Sequence, residues 1–270
     1  MRIADKLGRT VVFEPDRNAK WYDWGRAPFS LKSRRRLILS KLTERERFVA
    51  PHIVSIEAPS VVLVKNSKAG CTTLAQIMYY SKTGRFLDQA IHIEKNVLTQ
   101  GIMSSRKNMA RVRGDNRFLF TSVRHPETRA VSAFRNLILE AKNAAGKRHI
   151  AAIRDFGFDP MESDEFNFDV FLEYVDQSLQ MDRYRTDRHW REQVNNTGID
   201  LFEYDFVSRL ENISQDLDVL LEKLRVPRAG RAEILDARFN RSSQKASEIT
   251  PGQRRYIEDI YKNDFETFGY

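Results

Sequence analysis

The order of apolar and polar positions predicts a strand, a loop and a helix in the first third of the chain. Ser60–Val64 is a short apolar, β-branched run of the kind that forms a buried strand, and it leads directly into Lys-Asn-Ser-Lys-Ala-Gly-Cys-Thr-Thr. Apolar residues then recur at helical spacing, which predicts a helix that begins at Thr72 or Thr73 and ends near Gly84.

The same order recurs farther along the chain. Phe118–Val123 has the composition of a second buried strand, and Pro126 suits the first turn of the next helix, where a proline removes no intrahelical hydrogen bond. Further predicted elements are a helix over 168–179 capped by Asn167, a strand near 201–206, a helix over 213–224, and a helix opened by Thr250-Pro251. Strands that alternate with helices predict an α/β fold with a central parallel sheet flanked by helices.

Composition bounds the size and organisation of the fold. Of the 270 residues, 41% are hydrophobic and 30% are charged, which is typical of a globular protein with a sizeable core. We expect a single domain over residues 51–270. The polar, basic residues 1–50 are predicted to be an appended arm, in which Ser-Leu-Lys-Ser-Arg-Arg-Arg-Leu-Ile-Leu forms a short surface helix.

Charge and cysteine usage narrow the partners and the compartment. The net charge of +8 favours a polyanion: a nucleic acid, an acidic membrane surface, an anionic glycan or a phosphorylated nucleotide. Cys71 is the only cysteine, so an intrachain disulfide is excluded. The first 25 residues do not have the pattern of a signal peptide, and no apolar run has the length of a transmembrane span. We therefore expect a cytoplasmic location, with peripheral association at the inner membrane as the alternative.

The loop after the first strand has the composition of an anion site. A glycine-containing turn before a helix directs backbone N–H groups and the positive end of the helix dipole at one point, and Lys68 adds a cation. The loop is not a Walker A sequence, because Lys68 precedes Gly70 and Cys71 follows it. The alternative is a tight turn with a solvated Lys68. The candidate binding residues are Lys65, Ser67, Lys68, Ala69, Gly70, Cys71, Thr72 and Thr73.

Two segments carry a resemblance to sulfotransferases that use 3′-phosphoadenosine 5′-phosphosulfate (PAPS). Val-Lys-Asn-Ser-Lys-Ala-Gly-Cys-Thr-Thr-Leu resembles their 5′-phosphosulfate loop, with Ser67 where the family usually has proline. The stretch from Arg124 to Ser132 is similar to their 3′-phosphate segment, and it implies that these two side chains bind the 3′-phosphate. On the alternative interpretation, Arg124 pairs with an acid such as Glu127, and Ser132 is an ordinary helix-surface residue.

A third segment narrows the resemblance. The sequence from Phe168 onward, including His189-Trp190 and the final Tyr-Ile-Glu-Asp-Ile-Tyr-Lys-Asn-Asp-Phe-Glu-Thr-Phe-Gly-Tyr, resembles the membrane-type carbohydrate sulfotransferases of the chondroitin and dermatan type. The resemblance covers residues 58–270 and implies a P-loop, nucleoside-kinase-like fold. Because this sequence shows no membrane anchor and no disulfide, it resembles a soluble bacterial relative.

The resemblance implies a reaction. PAPS would donate its sulfuryl group by in-line displacement to a hydroxyl of a carbohydrate or glycoconjugate, and the product would be 3′,5′-adenosine bisphosphate (PAP). Lys68 would stabilise the charge on the departing oxygen. His189 is favoured as the general base over His92, with Glu94 as a carboxylate alternative. The basic segment before the last helix would add nucleotide contacts through Arg241 and Ser243, or would form only a solvated loop.

Other functions make different demands on the sequence. No cluster of residues has the spacing of metal ligands, so we expect transfer without a metal ion. A small-metabolite kinase would require ATP, Mg²⁺ and the Walker lysine that this loop lacks. A nucleic-acid-binding module would suit the charge, but no recognition motif accompanies it, so no nucleic-acid partner is predicted. Oligomeric state is not predicted.

Overall fold

The computed structural model describes residues 2–4, 8–88, 91–92, 97–140, 144–236 and 249–270. These residues contain seven β-strands and thirteen α-helices, together with loops and short turns. The strands are β1 (Arg2–Ala4), β2 (Thr10–Val12), β3 (Ile53–Ile56), β4 (Val61–Val64), β5 (Thr99–Gln100), β6 (Phe118–Val123) and β7 (Phe206–Arg209). The helices are α1 (Asp23–Arg26), α2 (Leu31–Leu39), α3 (Glu44–Val49), α4 (Cys71–Thr83), α5 (Ser105–Arg113), α6 (Pro126–Phe134), α7 (Ala144–Ile153), α8 (Asp164–Asp182), α9 (Gln193–Thr197), α10 (Ile213–Lys223), α11 (Arg228–Asp236), α12 (Pro251–Ile260) and α13 (Lys262–Phe268).

The chain folds into two units, each built from separate stretches of sequence. Unit 1 comprises Met1–Asp16, Arg124–Val194 and Gln244–Tyr270, and unit 2 comprises Arg17–Val123 and Asn195–Ser243. The first fifty residues contribute to both units. Val11, Val12 and Phe13 are buried in the core of unit 1, and α2 and α3 bury side chains in unit 2. These residues are therefore built into the cores, while the predicted division at residue 50 stays a prediction.

The central sheet lies in unit 2 and is mixed, so the prediction of a parallel sheet is only partly correct. Its strand order is β5-β3-β4-β6-β7. The three strands β4, β6 and β7 run parallel, but β3 pairs antiparallel with both β4 and β5. Only residues 57–60 join β3 to β4. A connection this short permits a hairpin, whereas parallel neighbours need a crossover of about a dozen residues.

Helices cover both faces of this sheet because successive strand residues point to opposite sides. Val61 and Leu63 belong to a core cluster that includes apolar residues of α4, α10 and α11. Val62 and Val64 belong to a second cluster that includes apolar residues of α2, α3 and α5. All four side chains are buried, which explains why the strand appears in the sequence as a continuous apolar run.

Unit 1 is a helical unit with a short hairpin. Its core brings together apolar residues of β2, α6, α7, α8 and α12. The rings of Phe134 and Phe171 lie 5.5 Å apart at its centre. Strands β1 and β2 form an antiparallel pair. Beyond α6 the chain continues as one π-helical stretch, Arg135–Leu139.

Several predicted elements are confirmed. The strand Phe118–Val123 has the predicted bounds, and Pro126 opens α6 at its first turn. Thr250 caps α12 by a capping box with Gln253, in which each side chain binds the other residue's backbone N–H. Helix α4 ends at Gly84 as predicted, although it begins at Cys71, earlier than the threonines.

Two local predictions were wrong. The strand expected near 201–206 is instead β7, because Leu201 lies in a turn closed by its backbone N–H to the carbonyl of Gly198. Helix α8 is capped by Ser163, and Asn167 lies inside the helix. The Asn167 side chain binds both the N–H and the carbonyl oxygen of Asp159. A polar residue with the right chemistry for a cap is used here to hold the preceding loop.

Asp264 of α13 holds a distant segment of unit 1 in place. Its buried carboxylate accepts hydrogen bonds from the backbone N–H groups of Gln193 at 2.8 Å and Val194 at 3.0 Å. Burial raises the pKa of Asp264 to about 6, although Arg129 and the two N–H donors oppose the shift. The C-terminal helix therefore organises the chain where α9 begins.

Substituting Asp264→Asn should lower the free energy of unfolding by about 1–3 kcal/mol, because an amide nitrogen cannot accept one of the two N–H groups. The native state binds the Asp264 proton more tightly than the unfolded state, so the contribution of this carboxyl to stability falls as pH rises toward 6. The loss measured by urea unfolding should therefore be larger at pH 4.5 than at pH 7. Glu266→Gln, on the exposed face of α13, is the control and should change little.

Candidate active site

The loop between β4 and α4 takes left-handed backbone conformations at two positions, which are separated by Ala69. Lys68 has a φ angle of 66° and Gly70 has a φ angle of 79°. Glycine adopts this conformation without strain, but a residue with a side chain does so at a cost of about 1 kcal/mol or more. The chain thus turns abruptly from the strand into the helix, whose first residue is Cys71.

The N-terminus of α4 has no side-chain cap. Gly70 occupies the N-cap position and makes no side-chain hydrogen bond there. The intrahelical ladder includes the bond from the N–H of Leu74 to the carbonyl of Gly70, at 3.1 Å. The N–H groups of the first turn therefore point out of the helix end without the hydroxyl or carboxylate that usually receives them. This arrangement suits an anionic ligand.

A buried asparagine fixes the loop through hydrogen bonds of its side chain. Asn66 is fully buried, and its amide nitrogen donates to the carbonyl of Ser122 at the end of β6, at 3.0 Å. The amide of Asn196 donates to the Asn66 side-chain oxygen at 3.2 Å. The Ser122 hydroxyl in turn donates to the carbonyl of Ala69. These bonds tie the loop to the neighbouring strand and to α9 within unit 2.

His92 lies against the loop. Its Nδ1 is 3.4 Å from the Lys65 ammonium, and its Nε2 is 3.2 Å from the Thr72 hydroxyl. Because an ammonium group can only donate, the first contact requires Nδ1 to accept, and Nε2 then carries the proton of the neutral ring. The structure therefore brings together three of the predicted site residues, Lys65, Thr72 and His92.

The other predicted loop residues divide by exposure. Ala69 is buried, and Gly70 lies so close to Leu210 that a Cβ atom at Gly70 would be 2.9 Å from its Cδ1. Cys71 is half-buried, with its sulfur 3.9 Å from the His92 Nε2. The half-buried residues that remain are Ser67, Lys68 and Thr73. The small residues are thus those that the packing requires, and the polar ones keep access to solvent.

Arg124 and Ser132 lie on a separate element, in unit 1. The Arg124 Nε donates to the Thr128 hydroxyl at 2.9 Å, and Thr128 is one turn before Ser132 on α6. The backbone of Arg124 exchanges two hydrogen bonds with the Gln193 side chain, at 2.9 and 2.8 Å. Glu127, named above as an alternative partner for Arg124, forms an ion pair with Arg254. Both predicted residues are half-buried: Arg124 lies between β6 and α6, and Ser132 lies on α6.

His189 is paired with a carboxylate. Its Nδ1 is 2.6 Å from one oxygen of Asp187, and the other oxygen is 3.2 Å from Nε2 of His149. The Nδ1 of His149 lies 2.9 Å from the Tyr174 hydroxyl. Burial alone would raise the pKa of Asp187, but the two histidines outweigh it and hold this pKa well below its ordinary value. Asp187 is therefore a carboxylate that orients His189 through Nδ1.

Buried polar groups support the segment that carries His189. The guanidinium of Arg129 donates to the carbonyls of Arg188 at 3.2 Å and Arg191 at 2.8 Å. Arg191 is fully buried and pairs with Glu14 at 3.1 Å. The Tyr261 hydroxyl donates to the carbonyl of Trp190 at 2.8 Å, so the predicted His-Trp pair places Trp190 in the core and leaves His189 half-buried.

The remaining predictions concern three residues outside the described ranges, a metal site and a membrane span. Arg241, Ser243 and Glu94 lie outside the described residues. Within the described ranges, no three histidine, cysteine, aspartate or glutamate side chains are grouped as metal ligands. Among the helices described, none combines the length and the apolar character needed to cross a membrane.

The fold and the loop define an α/β protein with an uncapped helix N-terminus after a buried strand, and the comparisons with known proteins name the family. Residues 51–270 match the sequence model described as "Sulfotransferase family". The chain therefore belongs to the sulfotransferase family.

Two relatives are animal proteins. The chain is 27% identical to human carbohydrate sulfotransferase 14 over 173 residues, which is 61% of this chain and 45% of that protein. It is 23% identical to mouse carbohydrate sulfotransferase 11 over 291 aligned positions, which cover 99% of this chain and 79% of that protein. The first match thus spans less than half of the human relative. No solved structure gives a significant match.

Sequence reasoning missed the residues that hold the site together. Asn66 and Asn196 form a buried contact over 130 positions, which no local pattern reveals. Asp187 was within reach, since an aspartate two positions before a candidate histidine base is a signal for a pair. Asp264 could not be found in this way, because its partners are backbone N–H groups.

Gly70→Ala should destabilise the protein by about 2–4 kcal/mol, because alanine would carry both the left-handed strain and the contact with Leu210. Gly84→Ala is a matched control, since Gly84 has a φ angle of 70° with nothing within 4 Å of the added Cβ. It should lose only about 1 kcal/mol. Urea unfolding of both variants measures the difference, and equal losses would contradict the predicted close packing at Gly70.

Proposed function

We propose that the protein transfers a sulfuryl group from PAPS to a hydroxyl of a carbohydrate or glycoconjugate. The observation that carries the proposal is the uncapped N-terminus of α4, preceded by Lys68 in a left-handed turn. Membership of the sulfotransferase family supports sulfuryl transfer over a small-metabolite kinase or a nucleic-acid-binding module. Both relatives are named carbohydrate sulfotransferases, which supports a carbohydrate acceptor.

In this proposal the β4–α4 loop binds the 5′-phosphosulfate. The first-turn N–H groups of α4 receive its oxygens, and the hydroxyls of Thr72 and Thr73 add donors. Ala69 and Gly70 allow the oxygens to approach the backbone. Lys65 contributes charge at the start of the loop, while Ser67 and Cys71 line it. The fold would accordingly be of the P-loop, nucleoside-kinase-like kind.

The 3′-phosphate of the donor is assigned to Arg124 and Ser132. A guanidinium forms paired hydrogen bonds to phosphate oxygens, and the hydroxyl of Ser132 on the following helix adds another donor. The hydrogen bond from Arg124 to Thr128 supports this assignment, because it holds the guanidinium against α6 one turn before Ser132. Arg241 and Ser243 are proposed as further nucleotide contacts.

The reaction proceeds by in-line displacement at sulfur. The acceptor oxygen forms a new bond to sulfur while the bond from sulfur to the bridging phosphate oxygen breaks, and PAP leaves with the negative charge on that oxygen. The Lys68 ammonium stabilises this developing charge. The proton of the acceptor hydroxyl passes to a general base. We propose that the reaction needs no metal ion.

His189 is the better candidate for the base on chemical grounds. Because its Nδ1 is bound to the Asp187 carboxylate, Nε2 is the nitrogen that can accept a proton, and the carboxylate stabilises the imidazolium that forms. The contact between His92 and the Lys65 ammonium instead occupies Nδ1 and places the proton on Nε2. His92 is proposed as a residue that positions Lys65 and Thr72 in the donor site.

Lys68→Ala should reduce turnover by about 100-fold to 1000-fold, because it removes the cation that stabilises the leaving oxygen. Radiolabelled PAPS and a glycan fraction from the native host would measure transfer, and calorimetry with PAP would measure binding. Lys82→Ala, in the last turn of α4, is the control and should transfer sulfuryl groups at the normal rate. Unchanged transfer by Lys68→Ala would refute the assignment of this loop.

Asp187→Asn should lower kcat by about 100-fold or more while leaving PAP binding unchanged, because the amide no longer holds His189 in the required tautomer. His189→Gln should show a loss of similar size. The double variant should be no worse than His189→Gln alone, since the two residues act as one unit. Additive losses would show that Asp187 acts only through folding, and full activity of His189→Gln would exclude it as the base.

A further inference from the structure

Four large apolar side chains project from the beginning of unit 2. Trp21 is 88% exposed, Trp24 68%, Phe29 94% and Leu31 59%. We call these four residues the aromatic patch. They lie within eleven consecutive positions, from the turn before α1 to the first residue of α2. A soluble surface rarely presents so many large apolar side chains within one short segment.

The segment that carries the aromatic patch is held by specific contacts. Asp23 is fully buried, accepts the N–H of Lys20 at 2.7 Å and pairs with Arg36 at 3.6 Å. The Arg34 guanidinium donates to the carbonyls of Ala27 at 3.1 Å and Pro28 at 2.9 Å, next to Phe29. These contacts fix the backbone of the segment. The four apolar side chains are therefore exposed because of the way the segment folds.

The same segment is strongly basic. Residues 20–41 contain seven lysine or arginine residues against one acidic residue, a net charge of +6, which is three quarters of the charge of the whole chain. The single acid, Asp23, is buried and paired with Arg36. Lys32 and Arg35 on α2 are exposed. Exposed cations thus flank the aromatic patch.

We propose that the aromatic patch and its flanking cations bind the surface of an anionic phospholipid membrane. Tryptophan and phenylalanine side chains insert at the boundary between headgroups and acyl chains, and lysine and arginine are attracted to anionic headgroups. The two kinds of side chain meet different layers of that surface. The apolar side chains reach the hydrocarbon, and the cations remain among the phosphates. The protein would act as a peripheral membrane protein through this segment.

Other occupants fit the segment less well. An anionic glycan would use the cations and could stack on the tryptophans, but it offers no apolar environment for Phe29 and Leu31. A second copy of the chain would bring two segments of net charge +6 face to face, and like charges oppose such an interface. A membrane surface satisfies both the charge and the apolar area.

Sedimentation with lipid vesicles tests the proposal on the full chain. Binding to vesicles of phosphatidylglycerol and phosphatidylcholine in equal parts should exceed binding to pure phosphatidylcholine by at least about tenfold, and 0.5 M salt should weaken it. Lys32→Ala with Arg35→Ala should weaken binding by about thirtyfold, because each cation near an anionic surface contributes a factor of about five. Equal binding to both vesicle types, or no binding, would overturn the proposal.

A matched pair of variants tests the apolar contribution. Phe29→Ser should weaken vesicle binding by about tenfold, whereas Met161→Ser, which changes a residue that is 91% exposed in unit 1, should have no effect. Thermal melts should be unchanged in both. Tryptophan fluorescence should shift to shorter wavelength when vesicles are added to the native chain, because Trp21 and Trp24 enter a less polar environment.

The alternative occupants have their own signatures in these experiments. If heparin binds tightly in a manner that Phe29→Ser weakens, while vesicles do not bind, the segment is a glycan site and the proposal is wrong. If light scattering shows a dimer that Phe29→Ser dissociates, the occupant is a second copy and the proposal is equally wrong. Because the segment contains no residue assigned to the donor site, PAP affinity should be the same in all of these variants.

Discussion

The conformation of the chain between Lys65 and Cys71 determines how unit 2 presents the start of α4. The chain leaves a buried strand and enters a helix within these few residues, which it does through left-handed conformations at Lys68 and Gly70. Because Gly70 provides no cap, the N–H groups at the start of α4 are directed outward rather than satisfied internally. The same turn contains a lysine, Lys68, three residues before the helix begins. The uncapped start of α4, on which the proposed phosphosulfate site rests, is therefore a direct consequence of the backbone path.

That path depends on buried polar contacts as well as on apolar packing. Asn66 lies at the end of β4 with no exposure to solvent, so its amide must find partners within the protein. It finds them in the carbonyl of Ser122 and the side chain of Asn196. A loop supported only by apolar contacts could shift with little cost in free energy. A shift that left the buried amide without its hydrogen-bond partners would cost about 1–3 kcal/mol. The loop is thus held to a single position relative to β6.

A comparable principle operates in unit 1, where charged groups are buried to hold one segment. Arg129, Arg191 and Asp264 each bind backbone groups or an opposite charge around residues 186–194. Burying charges is expensive, and replacing them with apolar residues often leaves stability unchanged. The buried charges are best explained by the precise position that they impose on this segment. They set the position of the irregular stretch before α9, which carries the Asp187–His189 pair, and of the first residues of α9.

Local features of the fold could be predicted where neighbouring residues decide the outcome. The apolar run of β6, proline at the start of α6 and the threonine cap of α12 all act within a few residues, and each was recognised. The mixed sheet was not, because the direction of β3 follows from its hairpin with β4, and β3 was not recognised as a strand. The cap of α8 was misassigned because Ser163 and Asn167 are both suitable, and only the packing of the preceding loop distinguishes them.

The candidate site divides in the same way. Residue type and order were enough to select the β4–α4 loop, Arg124 and Ser132 as candidates, because a glycine-containing turn with a lysine before a helix is a local property. The contact of His92 with Lys65 and Thr72, the burial of Asn66 and the orientation of His189 by Asp187 required the tertiary structure. Such contacts depend on side-chain direction and on which distant segments pack together. Amino-acid sequence alone specifies the chemical groups available, and the folded chain decides which of them meet.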